Sequence, residues 1–245
     1  MTEFPFVKYN KSIFCDVCHF AKQKRLSFPI SKYKSKKCFE LIHVDVWGPY
    51  SIPSIHVHKY FLTIVDDYLR YTWIFLLKQK FEVLKTLENF VVFVQTQFKT
   101  TIKIIIIDNG TEYLMTNLFV NKGIVHETSC VNTSQQNSIV ERKQGHISNV
   151  SIVLLIKSHL SKNYWSYFVI HVAHIINMLP TPVLNYSSPH EMRYKTTGDF
   201  NRSKVFGSLC YVSTLSTNKK NDPRASKCVF IGFKRGTKGC VLLNI

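Results

Sequence analysis

Long apolar runs separated by short polar breaks dominate the chain from residue 39 onward. Three runs come first, at residues 39–48, 59–67 and 71–78, and each predicts a β-strand because most positions are apolar or β-branched. The Tyr68–Arg70 segment between the second and third runs is short enough for a hairpin. Runs without strict polar alternation indicate a sheet that is covered on both faces.

Apolar residues then recur at helical spacing. One stripe predicts a helix and contains Leu84, Leu87, Val91, Val94 and Phe98. A strand at 102–107, a helix at 112–120 and a strand at 124–129 follow. A long helix is predicted over 137–160, with Val140, Ile147, Val150 and Leu154 on its inner face. Another helix is predicted to bury Trp165, Phe168, Val172, Ile175 and Leu179, and Pro180 and Pro182 stop it.

This order of elements, βββαβαβαα, predicts an α/β fold with a mixed sheet flanked by helices. From about Phe200 the pattern changes to short β-rich pieces around a polar stretch, which predicts a small all-β unit that is cut short at Ile245. Before Phe39 the chain is basic and lacks periodicity. We therefore expect three parts, at residues 1–38, 39–197 and 198–245.

Composition narrows the class of protein. With 45% hydrophobic residues, 18 Phe and 12 Tyr among 245 residues, the chain can bury a core, which excludes disorder as its main state. The net charge of +17 favours a polyanionic partner, either nucleic acid or an anionic membrane face. No apolar run approaches the ~20 residues of a spanning helix and no signal peptide is evident, so we expect an intracellular protein that is not secreted, with reduced cysteines and no membrane partner.

Three carboxylates stand out as candidate metal ligands. Asp45 lies within an apolar strand, Asp108 ends the Ile104–Ile107 run, and Glu141 lies near the start of the long helix. Clustered carboxylates repel one another unless a cation lies between them, and their hard oxygens suit divalent metals. Spacing alone favours a plainer interpretation: Asp45 is a strand-end surface residue, Asp108 is a turn former before Asn109-Gly110, and Glu141 is one charge of a helix surface.

Several ordered motifs resemble the integrase core of copia-type LTR retrotransposons: HVDVWGP at 43–49, FLTIVDDYLRYTW at 61–73, IDNGTEY at 107–113 and QQNSIVERKQGH at 135–146. The flanks match as well. CDVCHFAKQKR at 15–25 is similar to the end of the family's zinc-binding region, and VFGSLCYV at 205–212 with DPRASKCVFIGF at 222–233 is similar to its small β-barrel. The resemblance implies a ribonuclease H-like fold with a five-stranded mixed sheet and a catalytic triad of Asp45, Asp108 and Glu141.

The family's chemistry is what this resemblance implies for the chain. It is a polynucleotidyl transfer that trims the ends of the element's DNA and joins them to target DNA. Two Mg²⁺ ions, or Mn²⁺ in their place, would be held by Asp45, Asp108 and Glu141. The implied partners are element and target DNA and further copies of the chain, and the implied place of action is the nucleus.

Nucleic-acid contacts are expected beside the triad. Arg142 and Lys143 flank Glu141 on a helix expected to lie along DNA, where their contacts would be with phosphates. Gln136 and Asn137 resemble the family's mobile loop and could touch DNA, although capping of the helix by Asn137 fits equally well. Asp66 and Asp67, at the hairpin, are expected to be structural.

Some features depart from the family pattern. Cys15 and Cys18 have metal-ligand spacing, but residues 1–14 contain no histidine to complete a Zn²⁺ site, so the sequence predicts a weakened or absent zinc site. Ser138 replaces a glycine that is usual there, and the interval from Asp108 to Glu141 is shorter than in the family. The sequence therefore predicts a fragment of an element. An active integrase, a catalytically inactive DNA-binding remnant and a relic without function all stay open.

Overall fold

Five strands form the central sheet of the computed structural model, in the order β3-β2-β1-β4-β5. The pairs β2–β3 and β1–β2 are antiparallel, whereas β4 runs parallel to both β1 and β5. The mixed five-stranded sheet predicted from the sequence is therefore confirmed. The strands are β1 (Leu41–Trp47), β2 (Tyr60–Asp66), β3 (Thr72–Leu77), β4 (Ile104–Ile107) and β5 (Val125–Thr128). The structure describes residues 35–107, 119–128, 137–198, 204–214, 223–233 and 239–245.

Helix α1 (Glu82–Phe98) covers one face of this sheet. Its buried side chains pack with Ile42 and Val44 of β1 in one apolar cluster. The predicted stripe was slightly misplaced, because Leu84 and Phe98 are only partly buried at the edges of this contact. A flat sheet contacts a wide arc of a helix, so the buried face spans more positions than a narrow seam. The buried residues of α1 are Val83, Leu87, Phe90, Val91 and Val94.

The other face is covered by α2 (Ser138–Ser158) and α3 (Trp165–Met178), with a 3₁₀ turn at Lys162–Tyr164 between them. Phe61 and Ile74 of the sheet pack there against residues of both helices. Alternate residues of β1 point to opposite faces, so His43, Asp45 and Trp47 belong to this α2 side. The predicted inner face of α3 was wrong at its end, since Leu179 lies beyond the helix and is 47% exposed.

Helix α4 (Pro189–Tyr194) follows a second 3₁₀ turn at Pro182–Leu184. Ser188 and Glu191 form a capping box that fixes its first turn. The guanidinium of Arg193 reaches an aromatic cluster and lies 4.4 Å from the ring centre of Tyr71 and 5.3 Å from that of Trp73. Cation–π contacts of this kind attach the short helix to the α1 side of the core.

The C-terminal residues form an antiparallel sheet of β6 (Leu209–Ser213), β7 (Ala225–Phe233) and β8 (Cys240–Asn244). This confirms the small all-β element predicted after Phe200. The sheet is not isolated, because Ile231 and Phe206 share an apolar cluster with Phe168 and Val172 of α3. Burial against α3 therefore stabilises both the C-terminal sheet and the helix.

Part of the predicted organisation lies outside the described residues. This applies to the basic segment at 1–34 and to most of the predicted helix at 112–120. The domain limits at residues 38 and 197 stay predictions. Among the described helices, none is by itself long and apolar enough to cross a membrane. The bent pair Lys162–Met178 and Pro182–Tyr194, at 42°, meets the criterion by length and composition, as largely buried core helices also do.

A buried histidine lies where α3 meets the C-terminal sheet. His171 is 5% exposed, and its ring centre is 5.1 Å from that of Phe206 and 5.8 Å from that of Phe230. Burial, helped by the nearby His174, lowers the pKa of His171 to about 4. The folded chain thus holds this imidazole neutral at pH values where an unfolded chain protonates it.

We predict that acid weakens this contact. An unfolded histidine titrates near pH 6.5, so between about pH 6.5 and 4 the unfolded state binds more protons and the free energy of unfolding falls with falling pH. His171→Leu removes this effect. Between pH 7 and 4.5, the free energy of unfolding measured in urea titrations should therefore fall by roughly 2 kcal/mol less in this variant than in the native chain.

Phe168→Leu is the matched control, because it replaces another buried ring of α3 by a smaller side chain without removing a titratable group. Its stability should fall by the same amount at both pH values, relative to the native chain. Equal acid sensitivity of His171→Leu and the native chain would contradict the prediction.

Candidate functional site

Asp45 lies in the second half of β1, on the side of the sheet that faces α2. It is half-buried, and its Oδ1 accepts a hydrogen bond of 2.8 Å from the Val46 N–H. Its partner across the antiparallel pair is Thr63 of β2. Asp45 is thus an acidic residue within a largely apolar strand, and it lies on the side of the sheet that the first turns of α2 cover.

Strand β4 runs beside β1 and ends at this same level. Its last residue, Ile107, is opposite Val44, the residue before Asp45. Strand β1 and the strand that precedes Asp108 are therefore neighbours in the sheet. Asp108 itself lies outside the described residues, so its role in the site stays a prediction.

Two buried amides fasten the start of α2 to the sheet around Asp45. Asn137, just before the helix, donates from Nδ2 to the carbonyl of Val44 at 2.9 Å. Gln144 donates from Nε2 to the hydroxyl of Thr63 at 3.3 Å. One contact is therefore to the residue before Asp45, and the other is to the cross-strand partner of Asp45.

Glu141 lies between these two contacts. Positions three and four apart share one face of a helix, so Glu141 is on the same face as Asn137 and Gln144. Because both amides contact the sheet beside Asp45, this helix face is directed toward β1. Glu141 is half-buried there. The structure thus brings the Asp45 and Glu141 segments to one place, from elements that are far apart in sequence.

Of the two roles considered for Asn137, capping of α2 does not match its surroundings. Its side chain makes no capping hydrogen bond to α2, and the residue is only 1% exposed. Its Nδ2 is used by Val44, and its Oδ1 lies 3.2 Å from Nδ1 of His43. The side chain therefore does not cap the helix, and the predicted contact of Asn137 with DNA stays a prediction.

Asp66 and Asp67 organise the hairpin beside this site, as expected. The carboxylate of Asp66 accepts bonds of 2.6 Å from the N–H groups of Phe39 and Leu69. Burial, only partly opposed by these two hydrogen bonds, raises the pKa of Asp66 to about 6. Both oxygens are occupied by backbone groups, which supports the structural role.

Asp67 is tied to three other groups. Its Oδ2 accepts a bond of 3.0 Å from the Ser35 N–H, and its Oδ1 forms an ion pair of 2.9 Å with Arg70. Nε2 of His43 lies 3.8 Å from the same Oδ1. Burial alone would raise the pKa of Asp67, but these neighbours hold it well below its usual range.

Arg142 and Lys143 have different environments. Arg142 is exposed, and its Nε donates to the Ser138 carbonyl at 3.1 Å. Lys143 is half-buried, and burial together with the positive charge of Arg70 lowers the pKa of its ammonium group. The exposed Arg142 is therefore the better placed of the two to meet a phosphate.

Other predicted site residues lie outside the described part of the chain, namely Cys15, Cys18, Asp108 and Gln136. Within the described ranges, no group of three or more His, Cys, Asp or Glu side chains is arranged to hold a metal ion. A pair of described carboxylates, Asp45 and Glu141, does not make such a group by itself.

Sequence reasoning missed His43, Arg70 and Gln144, which make contacts around the start of α2 and the hairpin. A weak signal existed for two of them. His43 is two residues before Asp45, so it must share its face of β1, and Gln144 is three residues after Glu141, so it must share its face of α2. No local pattern indicates that Arg70 pairs with Asp67 and lies near Lys143.

A solved structure of another protein has a fold similar to that of this chain. A chain of the simian T-cell lymphotropic virus intasome in complex with PP2A regulatory subunit B56 gamma has a similar fold, with a TM-score of 0.56 at 12% identity. The similarity covers 94% of this chain and 84% of that one. The architecture is therefore that of a chain found in a retroviral intasome.

Sequence relatives identify the family more closely. The retrovirus-related Pol polyproteins from transposons RE2 and RE1 of Arabidopsis thaliana are 33% and 34% identical over 238 residues, which is 96% of this chain. The Pol polyprotein from transposon TNT 1-94 of Nicotiana tabacum is 30% identical over 223 residues. The model of the retroviral polymerase SH3-like domain matches residues 208–245.

The chain is thus homologous, over nearly its whole length, to Pol polyproteins of copia-type transposons, and the resemblance predicted from its motifs is confirmed. It spans 16% of the length of the two Arabidopsis relatives. It also shares its fold with a chain of a retroviral intasome.

Proposed function

We propose that this chain is the integrase segment of a copia-type Pol polyprotein and that it catalyses polynucleotidyl transfer on DNA. The observation that carries the proposal is the placement of Glu141. Buried contacts on both sides of it, from Asn137 to Val44 and from Gln144 to Thr63, direct its helix face toward Asp45.

The donor set fits a divalent cation. Asp45 and Glu141 are both half-buried and offer only carboxylate oxygens, which Mg²⁺ and Mn²⁺ prefer. Asp108, which follows a strand adjacent to β1, is proposed as the third ligand. Bound there, two ions would activate the attacking oxygen and stabilise the leaving one. In this proposal Asp45 would be a ligand of both ions, and Asp108 and Glu141 would each be a ligand of one.

The chain's own residues have separate tasks in this proposal. The carboxylates of Asp45 and Glu141 provide metal-binding oxygens next to the sheet. Exposed basic residues such as Arg142 neutralise DNA phosphates. In end trimming, water attacks the phosphodiester and the bond to the 3′-oxygen breaks. In joining, the freed 3′-hydroxyl attacks a phosphorus of target DNA and displaces the target's own 3′-oxygen.

Element ends and target DNA are the proposed partners, with further copies of the chain in an active assembly and the nucleus as its place of action. The net charge of +17 supports the choice of DNA. It fits equally an inactive DNA-binding remnant, which is the alternative that the experiments below distinguish.

The first prediction concerns catalysis. Asp45→Asn and Glu141→Gln each remove a metal ligand with little change of shape, so Mg²⁺-dependent cleavage and joining should fall to background. DNA binding should persist, because it depends on cations that these variants keep. Strand-transfer assays and binding titrations on the same preparations measure the two effects.

Glu127→Gln is the matched control, since Glu127 is an exposed acid in β5 and its loss changes the net charge equally. It should keep native activity. Full activity of either site variant would refute the ligand assignment. A native chain that binds DNA without any metal-dependent activity would support the inactive remnant instead.

The second prediction concerns phosphate contacts. Arg142→Ala should weaken DNA binding and reduce the slope of log affinity against log salt by roughly one unit, because one contact to a phosphate is lost. Lys85→Ala is the control, since Lys85 is exposed on α1, on the opposite face of the sheet. An equal change of slope in both variants would show that α2 does not lie along the DNA.

A further inference from the structure

A chain of buried polar groups runs beneath the start of α2. It links Val44, Asn137, His43, Asp67 and Arg70. The exposed fractions of Asn137, His43 and Asp67 are 1%, 3% and 6%. Burial of polar side chains is costly unless hydrogen bonds compensate for the lost contact with water. The contacts within this chain of groups therefore decide how the side chains are oriented.

The contacts determine how Asn137 is oriented. The carbonyl of Val44 only accepts hydrogen bonds, so the group that meets it at 2.9 Å must be the Nδ2 of Asn137. The Oδ1 of Asn137 then faces Nδ1 of His43 at 3.2 Å. Because Oδ1 only accepts, Nδ1 of His43 must be the donor in this hydrogen bond. The imidazole is thereby fixed in one orientation.

The other nitrogen of His43 is directed at the hairpin. Nε2 is buried, lies 3.8 Å from Oδ1 of Asp67, and has no hydrogen-bond partner among the described residues. Asp67 is in turn held by Arg70 and by the Ser35 N–H. The imidazole therefore lies between an anchored carboxylate on one side and the amide of Asn137 on the other.

We propose that Asn137, oriented by His43, is a positioning residue for Glu141: it sets where α2 begins relative to β1 and so holds the Glu141 carboxylate at Asp45. The inference rests on the proposed function for its consequence in catalysis. It does not depend on that function for its structural part. Glu141 is one helical turn after Asn137, so displacement of the helix start displaces Glu141 as well.

The chain contains a close internal control for Asn137. Asn177, in α3, is also buried at 5% exposure, and its amide forms two hydrogen bonds of 2.8 Å with the N–H and carbonyl of Thr72. Asn137→Ala and Asn177→Ala thus each remove a buried amide that joins a helix to the sheet. Only Asn137 is attached to the helix that carries Glu141.

Hydrogen exchange tests the structural part. Peptides covering residues 138–148 should exchange several-fold faster in Asn137→Ala than in the native chain, whereas Asn177→Ala should leave them at the native rate. Equal acceleration of these peptides in both variants would mean general destabilisation and would overturn the inference. This readout requires no activity, so it remains decisive if the proposed function fails.

Metal activation tests the positioning role. The Mg²⁺ concentration for half-maximal strand transfer should rise roughly tenfold in Asn137→Ala, as is typical when a residue that orients a metal ligand is lost. It should stay native in Asn177→Ala. Faster exchange with an unchanged Mg²⁺ requirement would reduce Asn137 to a structural residue and contradict the proposal.

A pair of His43 variants isolates the donor at Nδ1. The amide nitrogen of asparagine can take the place of Nδ1, whereas that of glutamine reaches toward the place of Nε2. His43→Asn should therefore retain native exchange at 138–148 and the native Mg²⁺ requirement, and His43→Gln should behave like Asn137→Ala. Identical behaviour of the two variants would show that the bond to Asn137 does not orient the helix start.

Discussion

The attachment of α2 to the central sheet is the interaction on which the candidate site depends. Helices usually dock on sheets through apolar side chains, and α2 does so through Val140 and Ile147, which are fully buried. On both sides of Glu141 the amides of Asn137 and Gln144 add polar contacts to this docking. Hydrogen bonds are directional, so they specify the rotation and translation of the helix more narrowly than apolar packing does.

The rest of the fold supports this arrangement by covering both faces of the sheet. On the α1 side a wide apolar cluster includes the side chain of Val44. The carbonyl of the same residue accepts the hydrogen bond from Asn137. On the other side, α3 and the C-terminal sheet share a core around Phe168 and Phe206. Apolar clusters thus cover both faces of the sheet, and a small polar region lies between β1 and α2.

Sequence periodicity was sufficient for the main elements, because apolar runs and stripes report directly on burial. It predicted the mixed sheet, and the motif resemblance indicated Asp45 and Glu141 as site residues. Capping, one of the two roles that the sequence left open for Asn137, was wrong, since only tertiary contact shows that this amide is used by Val44 and His43. The burial of Lys143 beside Arg70 likewise depends on the hairpin meeting α2. Contacts between distant segments leave no periodic trace.

The central claim is that the carboxylates of Asp45, Asp108 and Glu141 converge on divalent metal ions. Anomalous diffraction at the manganese edge, from crystals of the chain grown with Mn²⁺, tests it most directly. We expect a peak at about 2.2 Å from carboxylate oxygens of Asp45 and Glu141, with Asp108 ordered beside it. Ordered Asp45 and Glu141 carboxylates more than ~10 Å apart, with no manganese between them, would contradict the account, since paired ions lie only about 4 Å apart.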